Sequence, residues 1–164
     1  MADVTDTYYA GEAINGYGAQ LLVGQGGTSP EDYVAVADVD TITPGDMSTN
    51  VIDKTHLRSP DAHREKMAGL RDSGPFAISG NWRPRHGSQS NAGGDGFTNG
   101  GLIGMWRART EANFKIVLND GSPGLEMPFR GVVTKFQPGE IGVDSKIPFT
   151  AEITPLRDFS ADLP

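Results

Sequence analysis

The feature that most constrains this chain is a period of two in its apolar residues. In the segment Phe76–Trp82, Phe76, Ile78 and Trp82 share one face and Ala77, Ser79 and Asn81 the other. Asn113–Leu118 alternates in the same way through Phe114, Ile116 and Leu118. Two further long segments, Met127–Phe136 and Lys146–Thr154, offer Phe129, Val133, Phe149 and Ile153 as inward residues. Successive strand residues point to opposite faces, so runs of this kind are half-buried β-strands. The 22 glycines and 11 prolines are scattered among such runs without a period, as turns between short elements would be. Eight residues form the expected core: Phe76, Ile78, Phe114, Ile116, Phe129, Val133, Phe149 and Ile153.

The first half adds shorter elements. Gln20–Val23 reads as a strand, the turn set Gly24, Gly26, Gly27, Ser29 and Pro30 ends it, and Tyr33–Asp40 reads as its hairpin partner. Pro44–Gly45 marks a turn, and Val51–His56 reads as a third, more polar strand. A helix is expected from Ser59 to Arg71. Ser59 serves as its N-cap, Pro60 and Asp61 suit its first turn, His63, Met67 and Leu70 lie on one face, and Gly74–Pro75 stops it. His86–Gly101 holds six glycines in sixteen residues and reads as a long mobile loop. Leu102–Arg109 is a second, weaker helical segment because of Gly104. These elements make a mainly β fold, an antiparallel β-sandwich or barrel with one flanking α-helix and long Gly-rich loops. The division is a flexible N-terminal arm over 1–18, one β domain over 19–154 and a C-terminal tail over 155–164.

Charge is distributed unevenly along the 164 residues, whose net charge is −7. Residues 1–53 carry nine carboxylates and no Lys or Arg, whereas residues 54–85 carry seven basic residues against three acidic ones. One reading is neutralisation inside each subunit. The other is a polarised subunit whose acidic end meets the basic end of a neighbour, a head-to-tail contact that builds rings and stacks. The second reading nominates Asp38, Asp40, Asp46, Arg58, Arg64 and Lys66 as inter-subunit contacts.

An acidic balance argues against free nucleic acid or an anionic membrane as the main ligand. No apolar run approaches the ~20 residues that span a bilayer, and the start lacks the regions of a signal peptide. A cytosol-like compartment is the expectation.

Catalytic templates fail on particular residues. The absence of cysteine removes a disulfide framework, a thiolate metal site and a Cys nucleophile. Asp120–Gly124 has its first glycine one place late for a nucleophile elbow. No phosphate-cradling loop with its lysine is present, and Gly24–Gly27 lacks the strand–helix setting of a dinucleotide site. His56 and His63 lack helical zinc spacing, and His63 reads as a core histidine. Gly93–Gly96 matches one turn of a calcium-binding repeat that needs stacked copies. The pairs Glu31–Asp32 and Asp38–Asp40 read as solvated charge. No enzyme, cofactor or metal is expected.

The order of segments resembles the tail tube proteins (major tail proteins) of long-tailed, siphovirus-type bacteriophages. It is carried by YVAVADVDTITPG at 33–45, NVIDKTHLRS at 50–59, GLRDSG at 69–74 and the alternating strand from Phe76. In the second half it continues through FKIVLNDG at 114–121, FRGVV at 129–133 and IPFTAEIT at 147–154. The resemblance covers about residues 19–154. It implies a structural virion protein whose hexameric rings stack into a hollow tube that conducts the genome. It also implies partners: further copies of the chain, a tape measure protein, a tail terminator and baseplate or tail-tip proteins. DNA would transit without specific binding and no membrane would be involved, the subunit residing in host cytoplasm before joining the virion tail. The competing class is a β-sandwich carbohydrate-binding module with Trp82 or Trp106 as a stacking platform, although core packing suits both tryptophans.

Overall fold

A computed structural model describes residues 16–26, 30–59, 63–119 and 124–157. Among the described residues, nine strands and one short helix follow the chain: β1 Gln20–Gly24, β2 Tyr33–Ala35, β3 Val39–Thr43, β4 Met47–Asp53, β5 Lys66–Ser73, β6 Phe76–Asn81, α1 Leu102–Ala108, β7 Glu111–Leu118, β8 Leu125–Pro138 and β9 Pro148–Pro155. Seven of the strands form one antiparallel sheet in the order β2-β1-β7-β8-β9-β6-β3, and β4 and β5 form a separate two-stranded ribbon.

The sheet is rolled, and three residues show how. β2 and β3 are its opposite edges, yet only residues 36–38 join them. Val36 donates its N–H to the Leu21 carbonyl on β1, and the Asp38 carbonyl accepts from the Asn81 N–H at the end of β6. Asp38 turns the corner in the left-handed region, at φ 53°. The same corner requires Gly80, because a Cβ there would lie 2.1 Å from the Asp38 carbonyl oxygen. The expected strand Tyr33–Asp40 is therefore two strands. Its first half pairs with β1 as the hairpin reading requires, and the chain then crosses the seam to pair Val39–Thr43 with β6.

All eight expected core residues are buried in one cluster, together with Leu21, Val23, Val36, Phe97, Leu102, Met105 and Ala151. The alternation was decisive because each of β6, β7 and β9 buries one face against this cluster. The helix is α1, where Leu102, Gly104 and Met105 face the core. Arg109 closes it in the left-handed conformation at φ 53°.

The helix expected over Ser59–Arg71 is not what forms. Its first-turn residues Pro60 and Asp61 lie outside the described residues, and Lys66–Ser73 is β5, paired antiparallel with β4. The cause of the misreading is a bulge. Thr49 pairs with Arg71 and Val51 with Ala68, so β5 carries one residue more than β4 across that step. An extra residue places side chains three apart on one side, which imitates the helical spacing of Met67 and Leu70. His63, read as a core histidine, is exposed. The third strand also begins earlier than expected, at Met47 instead of Val51, and stops at Asp53. There the Thr55 N–H donates to Asp53 Oδ1 at 2.8 Å and turns the chain.

The loop after β6 is built, not loose. Ser88, Gln89 and Phe97 are buried. The Gln89 amide bridges three strand ends, accepting from the Arg83 N–H at 2.7 Å and donating to the carbonyls of Ala37 and Asn81 at 2.8 and 3.1 Å. Its glycines serve close approach as well as turning: a Cβ on Gly87 would lie 1.8 Å from the Gly94 carbonyl oxygen.

Candidate functional site

Among the described residues, the β4–β5 ribbon gathers five of the exposed large apolar side chains. Every residue of β4 is exposed, and β5 buries none of its side chains fully. Met47, Val51, Ile52 and Met67 are exposed, and Leu70 is 85% exposed. A two-stranded ribbon is marginal in water when alone. Val51 and Ile52 are successive strand residues and point to opposite faces, so apolar side chains are exposed on both sides of the ribbon, as an interaction surface would have them.

Charge is placed at the two ends of this ribbon. Asp46 sits at its base, where the Asp46 carbonyl accepts from the Gly74 N–H at 2.8 Å. Arg58, Arg64 and Lys66 lie toward the other end, next to the pair of Lys54 Nζ and Glu65 Oε2 at 3.7 Å. A strand rise of about 3.3 Å per residue puts roughly 20 Å of ribbon between the two groups. Asp53, at the far end of β4, has its carboxyl held below the ordinary value by the hydrogen bonds from Thr55. Asp38 and Asp40 stand at the start of β3, and Asp38 Oδ2 lies 3.5 Å from Arg83 Nε in the same chain. The structure gathers the three basic candidates at one end of the ribbon and leaves the acidic ones near the barrel. The sequence did not single out the apolar ribbon residues themselves, because the spacing of Met67 and Leu70 pointed to a helix.

The chemistry-bearing clusters elsewhere are already satisfied. A cleft of about 220 Å³ beside β1 and β7 holds Glu31, Glu111, Asn113 and Arg130. Glu31 accepts from the Gly26 N–H at 2.9 Å and from the Asn113 amide at 2.7 Å, and Arg130 pairs with Glu111 at 3.0 Å. Nearby, burial and then the Glu31 charge push the Tyr33 phenol above its ordinary value, with Lys115 Nζ 4.4 Å from the ring centre. His86, Ser88 and Asp95 gather as if for catalysis, but Ser88 is fully buried. His86 Nδ1 accepts from the Ser88 N–H at 3.2 Å, and Asp95 Oδ2 accepts from the Gly87 N–H at 2.8 Å, so both side chains fasten the loop. Among the described residues no group of three His, Cys, Asp or Glu could hold a metal ion. Trp82 packs against the core, and Trp106 is 48% exposed beside Arg107 and Arg109.

A rolled antiparallel sheet with an uncovered apolar ribbon and charge segregated along it defines a structural subunit that assembles. The family model described as lambda phage tail tube protein, TTP, matches residues 20–154. The chain belongs to that family and is a structural tail tube subunit of the virion tail. No curated protein matches the sequence significantly. Among solved structures, the anti-feeding prophage tube-terminating cap has a chain that superposes with a TM-score of 0.63 at 15% identity, covering 96% of each chain. The tail of the empty gene transfer agent particle, refined with C6 symmetry, gives 0.55 at 16% identity, covering 84% of this chain and 92% of that one. The SPP1 tail tube gives 0.58 at 10% identity, covering 88% and 77%. At these identities the likeness shows the fold. The family match excludes the carbohydrate-binding reading and leaves Trp82 and Trp106 without a sugar-platform role.

Proposed function

We propose that this chain forms hexameric rings that stack head to tail into a hollow tail tube, through which the genome passes during infection. The observation that carries this reading is the β4–β5 ribbon, whose apolar residues Met47, Val51, Ile52, Met67 and Leu70 are exposed among the described residues. The C6 symmetry of the gene transfer agent tail supports the ring size. The tube-terminating cap and baseplate among the structural neighbours support a terminator and a baseplate or tail-tip protein as partners. A tape measure protein completes the set, and the subunit waits in host cytoplasm until it assembles. Asp38, Asp40 and Asp46 of one copy would face Arg58, Arg64 and Lys66 of the next, with apolar ribbon contacts supplying most of the affinity. The net charge of −7 suits a conduit, because a wall of lysines would hold the phosphates that must slide. The chemistry is assembly, with no bond made or broken. Negative-stain microscopy of the concentrated protein tests it. Rings or tubes are expected, and a sample that stays monomeric at all concentrations overturns the reading.

A further inference from the structure

A tube of stacked rings needs two different contacts, one around each ring and one between rings, and the ribbon supplies one of them. A second pair of matching patches lies along β8. Midway along the strand, Val132, Val133 and Thr134 line a cleft of about 570 Å³ together with Trp106, Arg107 and Arg109 from the end of α1. Among the described residues, the side chains of Arg107 and Arg109 meet no carboxylate. Arg109 holds φ 53°, a conformation that glycine adopts without strain, so the helix cap carries a cation where the backbone alone favours no side chain. Beyond Pro138, the loop 139–147 leads to β9. Its Ile141 is 72% exposed and its Val143 fully exposed, with the exposed carboxylates of Glu140 and Asp144 beside them. Lys146 stands nearer the base, next to Ile147, whose carbonyl accepts from the Trp82 N–H at 2.7 Å.

We infer that the loop 139–147 of one copy seats in the Trp106 cleft of a second copy, with Val143 against Trp106 and the carboxylates of Glu140 and Asp144 facing Arg107 and Arg109. The two patches match in chemistry: an apolar centre beside two cations receives an apolar tip beside two carboxylates. Trp and Arg are the side chains that most often anchor interfaces, and opposite charges around them fix register and orientation. Within one subunit the two patches are held apart. β8 stays paired with β9 as far as Pro138, and the Gly139 N–H donates to the Pro148 carbonyl at 2.7 Å, so the base of the loop is pinned. From Thr134 to Pro138 the strand rises about 13 Å, at about 3.3 Å per residue. The exposure of Ile141 and Val143 shows that the tip is not seated on its own chain. Two distinct patches that fit one another make a heterologous contact, the kind that closes rings. The inference rests on the proposed assembly and adds an interface separate from the ribbon.

Charge exchange in the full-length protein tests this contact. One protein carries Arg107→Glu and Arg109→Glu, and the other carries Glu140→Arg and Asp144→Arg. All four positions are exposed, so both free subunits should melt within a few degrees of the parent. Each variant alone sets like charge against like and should give at least tenfold fewer rings or tubes than the parent in negative stain. Mixed in equal amounts, each protein's loop meets a cleft of opposite charge on the other. An even-numbered ring can alternate the two, so the mixture should regain most of the parent's yield. A third variant, Val143→Arg, leaves the helix untouched and should also assemble at least tenfold less with an unchanged Tm. Parent-like assembly of any of these variants alone, or a mixture as poor as its components, overturns the inference. A parent that never assembles overturns tube formation itself, whereas a parent that forms tubes beside variants that also do so removes this contact alone.

Discussion

The rings of Phe76 and Phe129 stack 4.1 Å apart and 6° from parallel, although β9 lies between their strands in the sheet. Phe114 stacks on the other side of Phe129 at 5.4 Å. Strands that are not neighbours can bring rings together only across the interior of a rolled sheet, so this column fixes the curvature. Truncating its middle ring removes two stacking contacts and opens a cavity. Phe129→Ala should cost about 3–5 kcal/mol. Denaturant melting of the free subunit measures it, and a loss below about 1 kcal/mol would show that the column carries little of the stability.

Gln89 is the polar counterpart of that column. Replacing it by Leu keeps the approximate size but leaves the Arg83 N–H and the carbonyls of Ala37 and Asn81 without their partner. Each stranded buried group costs about 1–3 kcal/mol, less where water reaches it. Gln89→Leu should therefore lower stability by at least about 2 kcal/mol and speed amide exchange across residues 83–101. Unchanged exchange there would mean that the backbone of the loop holds itself.

The ribbon separates folding from assembly. Leu70 is 85% exposed, so Leu70→Asp should change the Tm of the free subunit by no more than a degree or two. The same substitution puts a charge into a contact that must be desolvated when copies meet. Tube yield in negative stain should fall by at least tenfold. Full-length tubes from this variant would show that Leu70 is not buried between subunits.

Burial made most of the barrel legible in advance. Phe76, Ile78, Phe114, Ile116, Phe149 and Ile153 sit on strands with one face in the core, where alternation is obligatory. The ribbon was illegible for the converse reason: with no core beneath it in one subunit, β5 shows no alternation, and its bulge supplied a false helical spacing. The loop His86–Gly101 is legible as a loop but not as an ordered one, because the burial of Ser88 and Gln89 depends on strand ends that meet only in three dimensions. The corner at Asp38 was hidden inside an apolar run, YVAVADVD, which gives no local sign that it changes edge. The charge asymmetry was legible, but only the ribbon shows that its two ends are held apart.

Among the described residues, Arg58, Arg64 and Lys66 make no ion pair, whereas Asp38 is within 3.5 Å of Arg83. Neutralisation inside the subunit would make reversal of the three basic residues lower the melting temperature of the monomer. With no partner to lose, the variants Arg58→Glu, Arg64→Glu and Lys66→Glu combined should melt within a few degrees of the parent. Their effect should fall on assembly. Exposed pairs are worth only about 0–1 kcal/mol each, but several repeated around a ring fix register and orientation. Raising salt from about 0.05 to 0.5 M shortens the screening length to about 4 Å and should slow tube growth of the parent. The triple reversal should block growth at low salt, and charge reversal at Asp38, Asp40 and Asp46 should partly restore it when the two proteins are mixed. Melting curves and tube counts on the same samples decide the matter. A lowered melting temperature with an unchanged tube yield would return these charges to the interior economy of one subunit.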